Sequence, residues 1–166
     1  MAAKKTIAII ASTNERATAI VNNISIANYH LLLLSKYPHQ LHQLSAGLES
    51  AHTGAEFEIV DCMKDGCWEA DIIILDVPEE EEKVVAELIK EVSVQKIVVR
   101  FSQSESEFET DELQNLLKYS KLVRAMVVNN IIWLHSDDEN TVNEVLEILT
   151  NSRQAMSIDK LSSNKF

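Results

Sequence analysis

Short apolar runs alternate with amphipathic segments along most of the chain. The runs are rich in β-branched residues and predict strands, several of them buried on both faces as in a parallel sheet. The predicted strands span 6–11, 29–34, 56–60, 72–77, 96–101, 122–128 and 131–135, with a last short one near 155–158. The segments between them repeat apolar residues at helical spacing and predict helices near 38–48, 79–92 and 111–117. A first helix is predicted to start after one of the caps at 12–14 and to reach 24, and a last one to run from 137 or 138 to 149.

The apolar stripes of these helices predict which faces are buried. Pro38 opens a helix with Leu41, Leu44 and Leu48 on one side. The later helix after Pro78 is predicted to bury one face bearing Val84, Val85, Leu88, Ile89 and Val92. Its opening run Glu79–Glu82 lies where the positive end of the helix dipole favours negative charge.

The order of these elements predicts an α/β fold. Strands alternating with helices favour a Rossmann-like, doubly wound, mostly parallel sheet with helices on both faces. We expect residues 1–166 to form a single Rossmann-like domain that ends in a polar tail over 159–166. The sequence contains no internal repeat, low-complexity tract or clear linker.

Composition limits the classes of function that this chain can have. The chain has 166 residues, is 46% hydrophobic and carries a net charge of −11, which argues against binding nucleic acid or anionic membranes. No apolar run reaches the roughly 18 residues of a membrane span, and no signal peptide is visible. Two Cys predict a reducing, cytoplasmic setting. The first third of the chain is slightly basic, so it is the favourable place for an anionic ligand.

The turn after the first strand lacks glycine. In a doubly wound sheet, ligands bind at the carboxyl ends of the strands, and a dinucleotide normally rests on a glycine-rich first turn. Here residues 11–17 read Ala-Ser-Thr-Asn-Glu-Arg-Ala. The three glycines of the chain, at positions 47, 54 and 66, are predicted to lie in loops or helix ends.

The chain nevertheless resembles a known family, the deazaflavin (coenzyme F420)-dependent NADP oxidoreductases. Their first turn follows Gly-x-Thr-Gly-x-x-Gly, and its glycine positions hold Ala11, Asn14 and Ala17 here, with Thr13 retained. Further matches follow in order along nearly the whole chain. They are Ser35-Lys36 after the second strand, residues 70–78 against the pattern "aDvvilavP", 121–126 against "VVKAF", 136–139 against "gDDeea" and 158–161 against "vDaGpL".

The resemblance implies an NADP site. It implies that the first turn holds the pyrophosphate, that the end of the second strand receives the 2′-phosphate, and that the loops after the next two parallel strands flank the nicotinamide. The residues this assigns to cofactor binding are Ser12, Thr13, Asn14, Arg16, Ser35, Lys36, Val77, Pro78 and Ser102. The resemblance implies hydride transfer, but it leaves the catalytic residues unknown.

The residues themselves leave two alternatives at each phosphate position. Ser12 and Glu15 form a capping-box pattern, in which the helix satisfies its own first amides and sets a carboxylate where a pyrophosphate should arrive. Arg16 can clamp a phosphate or pair with Glu15. Ser35 and Lys36 suit a 2′-phosphate, and the lack of an acidic residue before Glu49 favours NADP over NAD; the alternative is an ordinary solvated turn.

The hairpin at Asn129-Asn130 bears on catalysis. In the family, a substantial segment follows the corresponding strand and helps to bind the second substrate, whereas only these two residues separate the strands here. Two hypotheses follow: an NADP-binding oxidoreductase, weakened or lost as a self-sufficient reductase, or a non-catalytic module that acts by protein association or binds another small ligand. The strand 131–134 suits an edge strand that pairs in a homodimer, and equally a buried strand.

Other chemistry has weak support. Cys62 and Cys67 have nothing nearby to complete a zinc set, which favours ordinary thiols and no metal site. His39 and His42 are expected on a polar surface. The sequence holds no nucleophile elbow, P-loop or convincing Ser-His-Asp set.

Overall fold

The computed structural model describes residues 3–24, 28–35, 38–51, 56–102, 112–128, 131–149 and 155–157. The strands are β1 (Lys5–Ala11), β2 (Tyr29–Leu34), β3 (Glu56–Ile59), β4 (Ile72–Asp76), β5 (Ile97–Ser102), β6 (Lys121–Val128), β7 (Ile131–His135) and β8 (Ala155–Ser157). The helices are α1 (Asn14–Asn22), α2 (Pro38–Ala51), α3 (Met63–Glu69), α4 (Glu79–Ile89), α5 (Glu112–Leu116) and α6 (Glu139–Ile148).

The described strands form one eight-stranded sheet in the order β3-β2-β1-β4-β5-β6-β7-β8. Strands β1 to β6 pair in parallel, β7 pairs antiparallel with β6, and β8 pairs in parallel with β7. The first six strands follow the order of the Rossmann fold, whose switch point lies between β1 and β4. The predicted Rossmann-like, mostly parallel α/β fold is therefore confirmed.

Each face of the sheet carries its own core. Because side chains alternate along a strand, β1 buries Ile7 and Ile9 on one face and Ala8 and Ile10 on the other. Helices α1, α2 and α6 cover the first face, and α3, α4 and α5 cover the second. The predicted stripe of α2 is confirmed, since its three leucines are all buried: Leu41, Leu44 and Leu48.

Helix α3 was not predicted, because its seven residues carry too few apolar positions to show a helical period. It contains Gly66, which is buried against β2: a Cβ there would lie 2.5 Å from Leu34 Cδ2. Gly47 lies inside α2. The expectation that the glycines occupy loops or helix ends is therefore wrong for these two, and Gly54 lies outside the described residues.

Helix α4 is rotated relative to its predicted face. Val85 and Ile89 are buried as expected, but Val84 and Leu88 are about half exposed. Glu82, in the first turn of the helix, is also buried, and its Oε2 accepts a hydrogen bond from Arg100 Nε on β5 at 2.8 Å. The apolar stripe was too wide to fix the rotation, and a polar contact across the helix–sheet interface decides it.

The position of β7 corrects one interpretation. It has β6 on one side and β8 on the other, so it is not an edge strand of the described sheet. The edge-strand argument for a homodimer is therefore wrong, and the alternative of a strand inside the sheet holds. The predicted tail 159–166 lies outside the described residues. Within the described part, no helix combines the length and the apolar character needed to cross a membrane.

Candidate functional site

The first turn lies at the carboxyl edge of the sheet, where β1 and β4 run side by side. Ser12 follows β1, and its backbone N–H donates to the carbonyl of Asp76, the last residue of β4, at 3.1 Å. This bond joins the turn to the end of the neighbouring strand. The turn therefore stands at the topological switch point, which is where ligands of doubly wound sheets bind.

Helix α1 is capped at its N-terminus by Thr13 rather than by Ser12. The Thr13 side chain accepts a hydrogen bond from the backbone N–H of Arg16 at 3.2 Å, and its carbonyl accepts from Ala17 N–H at 3.1 Å. The capping box proposed for Ser12 and Glu15 is therefore wrong. The cap stands one residue later, which puts Arg16 where that motif would need an acidic partner. Sequence alone could not choose among three adjacent residues that all make good caps.

Arg16 pairs with Asp76, and not with Glu15 as one alternative had it. Its Nη1 lies 3.3 Å from Asp76 Oδ1, and the two side chains are only 22% and 12% exposed. The contact is an ion pair rather than an aligned hydrogen bond, because Nη1 and Oδ1 are both buried without forming one. The positive charge of the first turn is thus matched by a carboxylate from β4.

Sequence reasoning assigned no role to Asp76. The signal was present, since the resembling strand pattern has alanine where this chain places Asp76, at the end of an otherwise apolar strand. A charged residue at the carboxyl end of a buried strand marks the ligand-binding edge of an α/β sheet. The structure shows that this carboxylate reaches the first turn, which strand periodicity could not reveal.

The structure brings several predicted site residues together. Ser12, Thr13 and Ser35 line a small cleft between the ends of β1 and β2, and Ser12, Ser35 and Val77 line a second one on the other side of Ala11. Each cleft has a volume of about 10 Å³, the room of about one water molecule. Both ends of the predicted phosphate site therefore meet at one edge of the sheet.

The remaining predicted residues lie in different places, and not all of them are described. Pro78 stands at the start of α4, and its carbonyl accepts from the backbone N–H groups of Glu81 and Glu82. Asn14 begins α1, but its side chain is not among those described. Lys36 lies outside the described residues. Ser102 ends β5 and does not line either cleft.

Ser102 has an unsatisfied hydroxyl. The residue is 5% exposed, and its Oγ has no hydrogen-bond partner among the described residues. A buried polar atom without a partner costs roughly 1–3 kcal/mol, which a bound ligand group can recover. With Arg16 Nη1 and Asp76 Oδ1, this makes three buried polar atoms that lack a hydrogen bond in the part of this edge that is described.

The thiols show no sign of metal or redox chemistry in the described structure. Cys62 is exposed, Cys67 is buried, and neither forms a disulfide. Burial raises the pKa of Cys67 to about 12, with a smaller opposing effect from Lys96. The pKa of Lys96 is lowered, chiefly by its own partial burial. A thiol held protonated in a core is a packing residue rather than a nucleophile.

Comparison with known proteins supports the fold and leaves the family open. No protein-family model matches the sequence, and no curated protein matches it. Solved structures do match. An NAD⁺-dependent 5-formyl-3-hydroxy-2-methylpyridine 4-carboxylic acid 5-dehydrogenase is 16% identical with a TM-score of 0.72, covering 94% of this chain and 58% of that one.

Two further solved structures are similar to this chain. A pyrroline-5-carboxylate reductase from Coxiella burnetii is 17% identical with a TM-score of 0.71, covering 98% of this chain and 64% of that one. A putative F420-dependent NADP reductase from Arthrobacter sp. FB24 is 13% identical with a TM-score of 0.62, covering 92% and 83%. The chain spans less than two thirds of the length of the first two proteins. At these identities, the likeness shows a Rossmann-like fold shared with NAD(P)-dependent oxidoreductases.

Proposed function

We propose that this chain binds NADP at the carboxyl edge of its sheet, and that its affinity is limited by the ion pair of Arg16 and Asp76. The observation that carries the proposal is that two buried donor atoms at this edge, Arg16 Nη1 and Ser102 Oγ, lack hydrogen bonds among the described residues, as does Asp76 Oδ1 beside Arg16. A phosphate oxygen would give the first a charge-assisted hydrogen bond. A polar group of the nicotinamide end would give the second an ordinary one.

The residues fit a dinucleotide in part. Thr13, Asn14 and Arg16 would hold the pyrophosphate at the start of α1, where the helix dipole favours an anion. Ser35 and Lys36 would hold the 2′-phosphate, and Val77, Pro78 and Ser102 would flank the nicotinamide. When bound, the cofactor would supply a hydride; the chain's own residues would bind and orient it. A related solved structure, a pyrroline carboxylate reductase from Plasmodium falciparum, contains bound NADP.

Asp76 and Glu15 oppose this binding. Asp76 lies against the one arginine of the turn, and Glu15 is exposed beside it. The pair is close to neutral, so the turn attracts a diphosphate mainly through the helix dipole, which is worth less than about 2 kcal/mol. The resemblance to the deazaflavin-dependent NADP oxidoreductases supports the choice of NADP, and these two carboxylates support weak binding of that cofactor.

Reductase activity by this chain alone is not part of the proposal. The pairing of Val128 with Ile131 makes the connection between β6 and β7 two residues long. No segment is available there to form a wall for a second substrate, and hydride transfer needs both partners held in contact. A homodimer partner would have to supply that wall.

A second candidate is a non-catalytic module that acts by protein association or binds another small ligand. It is favoured by exposed apolar side chains at the opposite, amino edge of the sheet. Trp68 before β4, Val94 before β5 and Tyr119 before β6 are 70%, 44% and 66% exposed. Aromatic side chains such as those of Trp68 and Tyr119 are enriched at protein interfaces.

Titration of the purified chain with NADPH and NADH, followed by nicotinamide fluorescence, tests the first proposal. We expect saturable binding of NADPH that is tighter than that of NADH. Arg16→Gln should weaken both cofactors, because both carry the pyrophosphate, whereas Lys36→Ala should weaken NADPH alone. Lys64→Ala is the matched control, since Lys64 is an exposed lysine that pairs with Glu91. Absence of binding at millimolar concentrations of either cofactor would contradict the proposal and favour the non-catalytic module.

A further inference from the structure

A further cavity, lined mainly by polar residues, lies on the sheet face that α3, α4 and α5 cover. Its volume is about 70 Å³, several times that of the clefts at the first turn, and it has room for a small organic ion. We call it the β6–β7 pocket. Its lining comes from α5, β6, β7 and the turn before α6, and consists of Gln114, Leu122, Arg124, His135, Ser136 and Asp137.

The pocket lies at the end of a row of basic side chains. Arg100 on β5 pairs in register with Arg124 on β6, which pairs with His135 on β7. Directly opposed residues on adjacent strands point to the same face. Three basic residues therefore lie side by side on one face, in a part of the chain that is otherwise strongly acidic.

The two ends of this row differ. At one end, Glu82 of α4 lies against Arg100 and offsets its charge. At the other end, Arg124 and His135 line the pocket, and both also interact elsewhere in the chain. Arg124 places a positive charge at the wall of the pocket, so an anion beside it would be favoured.

We propose that the β6–β7 pocket binds a small carboxylate. The Arg124 guanidinium is suited to a carboxylate by its planar fork, and Gln114, Ser136 and His135 can donate further hydrogen bonds. Asp137 is exposed and lines the same pocket, so it disfavours a doubly charged anion such as phosphate. The volume limits the ligand to a handful of non-hydrogen atoms, much smaller than a nucleotide.

The pocket is separate from the proposed NADP site. Three strand spacings separate β1 from β6, or about 14 Å. The residues of the pocket contribute nothing to the two clefts at the first turn. Carboxylate binding at one site and NADPH binding at the other can therefore succeed or fail independently.

Acetate is the probe, added to the ¹⁵N-labelled full chain at constant ionic strength set with chloride. We expect saturable chemical-shift changes concentrated at the amides of Gln114, Ser136 and Asp137. Arg124→Gln should weaken acetate binding about tenfold or more, the effect of losing a hydrogen bond to a charged group. Lys118→Gln removes an exposed positive charge next to α5 without touching the pocket, and should leave the affinity unchanged.

Inorganic phosphate is the second probe. The unmodified chain should bind it more weakly than acetate, and Asp137→Asn should narrow or reverse that order. The measurements on the unmodified chain stand even where Arg124→Gln fails to fold. Acetate shifts that do not saturate or that map elsewhere would overturn the proposal. Tighter binding of phosphate than of acetate by the unmodified chain, read from the concentration dependence of the shifts, would also overturn it.

Discussion

Two arginine–carboxylate pairs contact the same sheet, one in its core and one at its carboxyl edge. Arg100 and Glu82 join β5 to α4 at 2.8 Å, with side chains 2% and 10% exposed. Arg16 and Asp76 join the first turn to β4 at 3.3 Å, with side chains 22% and 12% exposed. The first pair forms an aligned hydrogen bond in the core, and the second is an ion pair at the ligand-binding edge.

The difference indicates two roles for one kind of contact. A buried, aligned pair cannot lose one member without leaving an uncompensated charge in the core, so it belongs to the fold. A pair at the carboxyl edge, with an arginine nitrogen that lacks a hydrogen bond, can exchange its carboxylate for a phosphate. We therefore expect substitutions in the first pair to change stability, and substitutions in the second to change cofactor affinity.

Breaking the core pair has the largest expected effect. Glu82→Gln leaves the Arg100 charge buried, and should lower the free energy of unfolding by about 3–5 kcal/mol in urea denaturation. The double substitution Glu82→Leu with Arg100→Met should recover most of the loss, because apolar residues of similar volume can replace a buried pair. A loss below about 1 kcal/mol for Glu82→Gln would show that the pair does not belong to the core.

The buried thiol on the same face gives the next effect. Because burial raises the pKa of Cys67 to about 12, the folded chain keeps a proton that the unfolded chain releases above its ordinary thiol pKa. This thiol should leave the free energy of unfolding unchanged below about pH 9. Between about pH 9 and about pH 12 it should lower that free energy by roughly 1.4 kcal/mol per pH unit. In urea unfolding at alkaline pH, Cys67→Ala should remove the part of the slope of unfolding free energy against pH that this thiol causes. An unchanged slope would mean that Cys67 titrates normally.

The cap of α1 gives a smaller effect at the edge. Thr13→Ala should lower the free energy of unfolding by about 1 kcal/mol, because Arg16 N–H loses its acceptor. Ser12→Ala is the matched control and should stay within about 0.5 kcal/mol, since the Ser12 contact described here is made by its backbone. If Ser12→Ala lowered the free energy of unfolding more than Thr13→Ala in thermal or urea unfolding, that result would support the capping box of Ser12 and Glu15 instead.

The sequence predicted the sheet better than the contacts between its layers. Tyr29–Leu34 and Ile131–His135 match their predicted bounds, because buried strands are continuous apolar runs with clear ends. Helix α3 was missed because half of it is polar and its packing depends on Gly66 fitting against Leu34. That contact joins residues 32 positions apart, which periodicity cannot detect.

The candidate site was predicted in its position and only partly in its chemistry. The switch point follows from the strand order, so Ser12, Thr13 and Ser35 could be placed near one another. The role of Asp76 could not, because its contact with Arg16 spans two strands that are adjacent only in the fold. The burial of Glu82 could not be predicted for the same reason, since its partner Arg100 lies on the next strand.

The proposal that Asp76 limits cofactor binding is tested most directly by Asp76→Ala, with Asp76→Asn as the variant that keeps the shape and removes the charge. Both remove a carboxylate from the phosphate site and release Arg16 from its ion pair. NADPH titrated against these variants and the unmodified chain should bind about tenfold more tightly to both variants, a gain of about 1.4 kcal/mol. Unchanged or weaker NADPH binding by variants that remain folded would contradict this role for the Arg16–Asp76 pair.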